Sequence, residues 1–374
     1  MFKLAVIGAN APLIPFYKRA KALGYYVIGI AWAEGAACKQ FCDKFYPISF
    51  QEKEEVLRVC REEKIDGITS FSLESALSTV VYVARALGLV SNTEECVRLT
   101  ETKLAQRQAF EKNGIPVPQY AMLDEESKLG ELDFRYPIIV KPLDSGGSQG
   151  VTKLDSKEGL VEAYRVAADY SRTKRVIVEE FIDGREFSVE ALSYSGKHYI
   201  LQITDKVTSG APHFIEMQHH QPADITTKVA DKIKAMVEKA LSALKIENSP
   251  SHTEIKLNSK GELYIIEIGA RMGGDFITSD LVLLSTGYDM VKGAIELAIG
   301  EFKAPEIGAA NYSGVYFYSA LAPQIGDVIR NHSAYPEIIE FEIEEGILPT
   351  VHSNADRKGY FLYQSNKGRL NLNE

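Results

Sequence analysis

Cysteine is scarce: four residues in 374, Cys38, Cys42, Cys60 and Cys96, all within the first hundred positions. That density excludes a disulfide scaffold. No histidine precedes His198 to complete a zinc site with Cys38 and Cys42, so the cysteines read as buried free thiols of a reducing compartment. No run of about 20 apolar residues is present, and no membrane-crossing helix is expected. The N-terminal stretch MFKLAVIGANAPLIPFYKR has no basic segment ahead of its apolar run and no small-residue cleavage site. It does not read as a secretory leader, and a cytoplasmic location is expected. A basic excess is also missing: 42 Lys and Arg stand against 51 Asp and Glu, a net charge of −9, which argues against a nucleic-acid binder. Repeats, low-complexity segments and a Cys/His or Ser/His catalytic set are lacking too. What remains is 45% hydrophobic and 25% charged, a globular composition with length for two or three domains.

The first ninety residues alternate between strand and helix patterns. Apolar runs at 3–8, 26–30 and 66–71 are separated by helical patterns at 15–23, 52–63 and 74–87, with Gly24 and Gly88 as stops. This predicts a small doubly wound α/β domain. Gly8-Ala9-Asn10 follows the first strand, but G-x-G-x-x-G is absent, so it reads as a structural turn or as one edge of a substrate site. One helix is expected over 93–113, ended by Gly114. Strands are expected at 120–123, 138–141, 151–154 and 176–181, with a helix at about 156–170. More strands run through 186–206, and a helix of about 20 residues starts near Asp224. Strands His252–Leu257 and Glu262–Ile268 flank the turn Asn258-Ser259-Lys260-Gly261. Helices follow near 276–285 and 288–299, then tyrosine-rich strands around 312–321 and 339–352.

Four segments carry chemistry. In Ile138-Ile139-Val140-Lys141-Pro142-Leu143-Asp144-Ser145-Gly146-Gly147-Ser148-Gln149-Gly150 a buried strand delivers a lysine into a glycine-rich loop. Exposed backbone N–H groups and the Lys141 charge suit a polyphosphate, although the loop is not a Walker A motif; a plain hairpin tip is the alternative. In Val178–Glu190 two strands bear several carboxylates. Glu180, Ile182 and Glu186 can serve an adenine edge and a ribose; a solvated acidic edge is the alternative. Glu254 and Glu267 lie in apolar strands, about opposite each other when counted back from the turn. Buried carboxylates need a partner. A shared Mg²⁺ provides one, and salt bridges from Glu254 to Lys256 or from Glu267 to Arg271 provide another. Gly269-Ala270-Arg271-Met272-Gly273-Gly274 then brings Arg271 beside the carboxylates, where it can neutralise a transferring phosphoryl group. A fifth stretch, Ser209–Pro222, is polar and carries His213, His219 and His220. It reads as an active-site loop, or as a surface loop with incidental histidines. Glu216, His219 or His220 can bind an α-amino group or accept its proton.

Lysine, glycine-rich loop, carboxylate hairpin, paired carboxylates and arginine, in that order, resemble the ATP-grasp superfamily of carboxylate–amine ligases. Single-chain L-amino-acid ligases and carbamoyl-phosphate-synthase-like proteins are the nearest in look, from Glu267 through Gly274. The resemblance implies an α/β and α+β chain: an N-terminal doubly wound pre-ATP-grasp domain (1–92), an ATP-grasp nucleotide-binding region (93–300) with a mobile lid at about 119–181, and a C-terminal part completing the catalytic domain (301–374). It implies phosphate-binding roles for Lys103 and Lys141. Ser145, Gly146, Gly147, Ser148 and Gly150 would form the loop over the phosphates. Glu179, Glu180, Phe181 and Ile182 would form the adenine hinge, and Glu186 the ribose carboxylate. Glu254 and Glu267 would be the metal ligands, and Arg271 the catalytic arginine together with Lys141. The substrate side would draw on Glu216, His219, His220, Arg271 and Gly273. ATP and Mg²⁺ are the expected cofactors, with Mn²⁺ as a substitute. One position departs: many members carry asparagine two residues after the second glutamate, where this chain has Gly269.

The activity so implied is phosphorylation of a carboxylate by ATP, release of ADP, and capture of the acyl phosphate by an amine, with an amino acid as substrate. The alternatives are a nucleotide- or carbohydrate-pathway ligase acting on a phosphoribosylamine or bicarbonate, and an ATP-binding module without turnover. Expected partners are the small carboxylate and amine, with neither nucleic acid nor membrane. A homodimer is compatible with the resemblance.

Overall fold

The computed structural model describes residues 1–147, 149–308 and 310–372. Its first part contains β1 (Lys3–Ile7), α1 (Ile14–Ala22), β2 (Tyr26–Ile30), β3 (Lys44–Tyr46), α2 (Lys53–Glu63), β4 (Gly67–Ser70) and α3 (Leu77–Leu87). The four strands form a parallel sheet in the order β3-β2-β1-β4. Residues 4–7 of β1 and all of β4 are buried, because helices cover both faces, and the strands read as unbroken apolar runs for that reason. Strand β3 was not expected from the sequence: three residues, Lys-Phe-Tyr, give no period to detect. All four cysteines are free, three of them fully buried, and burial pushes the Cys60 and Cys96 thiols up to about 12.

The single helix expected over 93–113 is two, α4 (Glu94–Thr100) and α5 (Lys103–Lys112). Thr102 is extended at φ −135° and its hydroxyl accepts from the Ala105 N–H, an N-cap that starts a new helix. Lys103 thereby stands at the first turn of α5, with its backbone N–H on Leu143 O at 3.2 Å.

Strands β5 (Tyr120–Leu123), β6 (Ile138–Pro142) and β7 (Thr152–Leu154), helix α6 (Leu160–Tyr170) and strand β8 (Val176–Glu180) follow. They make an antiparallel sheet, β5-β8-β6-β7, with α6 packed on β6.

The rest builds one large sheet: β9 (Arg185–Tyr194), β10 (Lys197–Thr208), β11 (Glu216–Gln221), then α7 (Thr227–Ala243), β12 (Ser249–Leu257), β13 (Leu263–Gly269), α8 (Val282–Thr286), α9 (Met290–Ala298), β14 (Tyr312–Tyr318), α10 (Gln324–Arg330), β15 (Ile338–Ile343) and β16 (Gly359–Ser365). The order is β13-β12-β9-β10-β11-β14-β16-β15, antiparallel throughout. Strand alternation divides its two faces. Phe187, Val189, Ala191 and Ile255 pack under α7 through Ile233, Val237 and Leu241. Glu186, Ser188, Glu190, His252, Glu254 and Lys256 are the alternate residues and form the other face.

The segment 209–222 expected to be a loop is corrected by this sheet. Glu216–Gln221 is β11, hydrogen-bonded between β10 and β14. Its sequence, EMQHHQ, has no apolar alternation, so it gives no strand signal. No described helix is long and apolar enough to cross a membrane.

Gly184 joins β8 to β9 at φ +99°, where a Cβ would lie 2.1 Å from Leu257 O and 2.8 Å from the Asn258 Cα. Gly184→Ala is expected to cost about 1–3 kcal/mol in backbone strain alone, with the collision in addition. A lowered urea midpoint is the readout, and an unmoved midpoint would refute the close approach.

Candidate active site

The polar face of the large sheet floors a cleft of about 400 Å³, within the usual range for small-molecule sites. The smaller antiparallel sheet closes one side, and Pro12, Ser72 and Glu74 approach from the carboxyl ends of β1 and β4.

Register places Glu254 on β12 directly opposite Glu267 on β13. Neither makes the salt bridge set out as the alternative. Lys103 Nζ lies 3.0 Å from Glu267 Oε1 and donates to Ser145 O at 2.7 Å. Burial works against the Lys103 charge, but Glu267 and Glu74 outweigh it and raise its pKa. Lys206 Nζ lies 2.8 Å from Glu254 Oε1, 2.7 Å from Glu216 Oε1 and 3.2 Å from Glu186 Oε1. Burial would raise the Glu254 carboxyl; Lys206 and His252 hold it well below the usual range instead. Two carboxylates on facing strands, open to a lysine-lined cleft, are a donor set that fits a hard divalent cation.

Lys141 and Glu179 meet at 2.5 Å. Glu179 also accepts from Arg107 at Nε (2.7 Å) and Nη2 (3.2 Å), and Arg107 donates to Ile266 O at 2.8 Å. Arg107 is 0% exposed. Burial alone would raise Glu179, yet Arg107 and Lys141 hold it at about 2. The Glu179 carboxylate is thus committed to Arg107 and Lys141, while the residue itself lines the cleft at the start of the expected adenine hinge. Glu180 is exposed, Ile182 is buried, and the Phe181 ring carries Lys153 and Lys256 over its faces at 5.0 and 4.9 Å. In the loop, Ser145 donates to Tyr170 O, and Gly147 and Gly150 both take φ +69°. Gly146 borders Glu74 across the cleft. Ser148 lies outside the described residues.

Arg271 donates to Met272 O at 3.0 Å and faces the cleft. Gly269 leaves it room, since a Cβ there would sit 3.0 Å from the Arg271 Nε. Burial, then Glu267, raises the Glu74 carboxyl, with Arg271 and Lys103 opposing.

At the β11 end, ligand atoms of Glu216, His219 and Asp275 lie within 4.8 Å of one another. His219 is fully buried; its Nε2 lies 3.3 Å from Glu216 Oε2, and neither ring nitrogen makes a well-aligned hydrogen bond among the described residues. Arg357 Nη2 donates to Asp275 at 2.8 Å. Burial, with Glu216 beside it, raises Asp275. His220 does not join this group. It lies on the opposite face of β11, hydrogen-bonded to the Tyr363 hydroxyl and Gln218 and packed on Tyr316, and burial lowers its pKa. This corrects its place among the substrate candidates.

Sequence reasoning missed Glu74, Arg107, Glu190, Lys206, His252 and Asp275. His252 was open to discovery, because it stands two residues from Glu254 and so shares its strand face. Arg107 reads as an ordinary helix-surface residue and gave no signal.

The class is defined by two antiparallel sheets arranged around a lysine- and carboxylate-lined cleft. Residues 134–280 match the family model described as an ATP-grasp domain. It is 26% identical to the carbamoyl phosphate synthase large chain of Caldanaerobacter subterraneus over 324 residues, 85% of this chain and 28% of that one. It is 26% identical to the D-alanine–D-alanine ligase of Pseudomonas putida over 47% of this chain and 56% of that one. The chain thus spans about half, or less, of the length of the curated relatives it matches. The crystal structure of an L-amino acid ligase from Bacillus licheniformis superposes with TM-score 0.81 at 26% identity, covering 98% of this chain and 94% of that one.

Proposed function

We propose that the protein is an ATP-dependent ligase that activates a carboxylate as an acyl phosphate and joins it to an amine, with an amino acid as substrate. The observation that carries the reading is the Glu254–Glu267 pair in direct register, flanked by Lys103 and Lys141 across one cleft. Lys103, Lys141 and the 145–150 loop would hold the phosphates, with the sheet at about 119–181 as the lid over them. Phe181, Ile182 and Glu186 would take the nucleoside. Glu254 and Glu267 would hold Mg²⁺, which neutralises charge on the phosphates when bound. Arg271 would stabilise the transferring phosphoryl group. Little covalent work falls to the protein; it positions the reactants and excludes water.

Two observations favour an amino acid. The likeness to the L-amino acid ligase extends over nearly the whole chain. Glu216 and Asp275 line the cleft with His219 behind them, and the carboxylate oxygens not taken by Lys206 and Arg357 suit an α-ammonium group. Four basic residues of the tail, by contrast, are paired with carboxylates: Arg330 with Glu345, Arg357 with Asp275, Lys358 with Glu344 and Arg369 with Asp205.

The test is ³¹P NMR of the protein with MgATP and pooled amino acids against a control without them. ADP and phosphate appearing only with the pool support the reading. AMP and pyrophosphate would refute the acyl-phosphate route. His219→Ala is expected to raise the amino-acid KM about tenfold or more, the scale of one hydrogen bond to a charged group, with the KM for ATP little changed. An equal rise in both would remove the ammonium seat.

A further inference from the structure

On the cleft floor beside Glu254, His252 of β12 stands in register with Glu190 of β9 on one side and with Gly269 of β13 on the other. The imidazole Nδ1 lies 2.5 Å from Glu190 Oε1, and the Glu190 side chain is fully buried. The ring is fixed by that bond, and its Nε2 faces Glu254 Oε1 at 3.8 Å. Lys206 bonds the same oxygen at 2.8 Å. The contacts of the Glu254 carboxylate with Lys206 and His252 both fall on Oε1, and Glu254 lines the cleft.

Gly273 closes over the pair. A Cβ there would lie 2.6 Å from His252 Nδ1 and 3.1 Å from both Glu190 oxygens, so the glycine-rich turn rests its backbone on the ion pair. A buried ion pair adds little stability over apolar residues of the same volume. The stability of the sheet therefore does not account for a glutamate and a histidine beneath the cleft. Their place does, because the pair abuts the one carboxylate whose orientation decides how a cation is held.

We propose that Glu190 and His252 are a positioning pair for the divalent-cation site: with Lys206 they hold Oε1 of Glu254 and leave Oε2 as the oxygen offered to the cation. The proposal rests on the reading of Glu254 and Glu267 as that site. It also gives Gly269 a context. Where a side chain on β13 is missing, its register neighbour on β12 supplies an organised polar group instead. Partners that orient a metal ligand typically govern affinity by about 10–100-fold.

The test is Mn²⁺ titration of the full chain with ADP present, free Mn²⁺ being followed by electron paramagnetic resonance. Glu190→Gln and His252→Ala are each expected to weaken Mn²⁺ retention about 10–100-fold, while ADP affinity without metal stays unchanged. His252→Gln, which keeps an N–H near the Nε2 position, should retain Mn²⁺ better than His252→Ala. If Glu190→Gln does not fold, the two His252 variants carry the test. Mn²⁺ affinity of His252→Ala equal to wild type overturns the proposal, as does an equal fall in metal-free ADP affinity. Wild-type protein that retains no Mn²⁺ overturns the cation site and the positioning role with it.

Discussion

Replacing Glu267 with glutamine is expected to lower turnover at least about a hundredfold, the scale of removing one electrostatic contact from a transition state, while ATP affinity falls far less. The substitution keeps shape and removes charge. Glu254, in register opposite, would be left as the sole carboxylate of the pair. Lys103, now 3.0 Å from Glu267, keeps its bond to Ser145 O at 2.7 Å, so a nucleotide would still meet an ordered lysine. Loss concentrated in kcat identifies a group needed in the transition state, whereas loss in KM alone identifies uniform binding. Steady-state kinetics together with calorimetric titration of ATP separate the two. Unchanged kcat in a folded variant would dismiss the paired-carboxylate site.

The second large effect concerns stability. Arg107→Ala is expected to destabilise the fold by about 3–5 kcal/mol, the usual result of removing one partner of a buried ion pair. Arg107 ties α5 to Glu179 on β8 and to Ile266 O on β13, so it joins the small sheet to the large one. The variant leaves Glu179 in a dry site with Lys141 alone. Acid should separate variant from wild type. Glu179 in the native protein titrates at about 2, below the ordinary value of about 4.3. A depressed carboxyl contributes stability that is fully present above the unfolded value and lost as pH falls toward the folded one. Wild type should therefore lose this contribution between about pH 4 and pH 2, and Arg107→Ala should lose less there, having less to lose. Urea midpoints across that window test it. Parallel pH curves for the two proteins would mean that Arg107 is not what holds Glu179 down.

The parts of the site that the sequence made legible are those where chemistry and periodicity coincide. The strand ending in Lys141 and its glycine loop, and the hairpin that sets Glu254 against Glu267, have apolar neighbours and an unambiguous turn between or after them. Counting from Asn258-Ser259-Lys260-Gly261 brings the two carboxylates near each other but sets Glu254 against Ile265; the pairing starts at Leu257–Leu263, and a bulge between Glu254 and Ile255 completes the shift to Glu267. Where polar residues face a cleft, the same logic fails. Strand β11 is all polar or thioether on both faces, because one face looks into the site and the other meets Tyr316 and Tyr363; it therefore imitates a loop. The break between α4 and α5 hides in one capping threonine within an otherwise continuous helical pattern. Arg107 and Glu179 are 72 residues apart, and a pairing at that separation leaves no local trace in the sequence.

The placing of the last strands has an evolutionary reading. The chain after α9 is not an appended module: β14 is the hydrogen-bonding neighbour of β11, and β16 and β15 continue outward from it. The wall bearing Glu216 and His219 thus borrows its rigidity from residues a hundred positions downstream. If Glu216 and His219 seat the substrate as proposed, a change of substrate range must come through side chains exchanged in place, since a cassette cut out near residue 300 would take the strands that back them along with it.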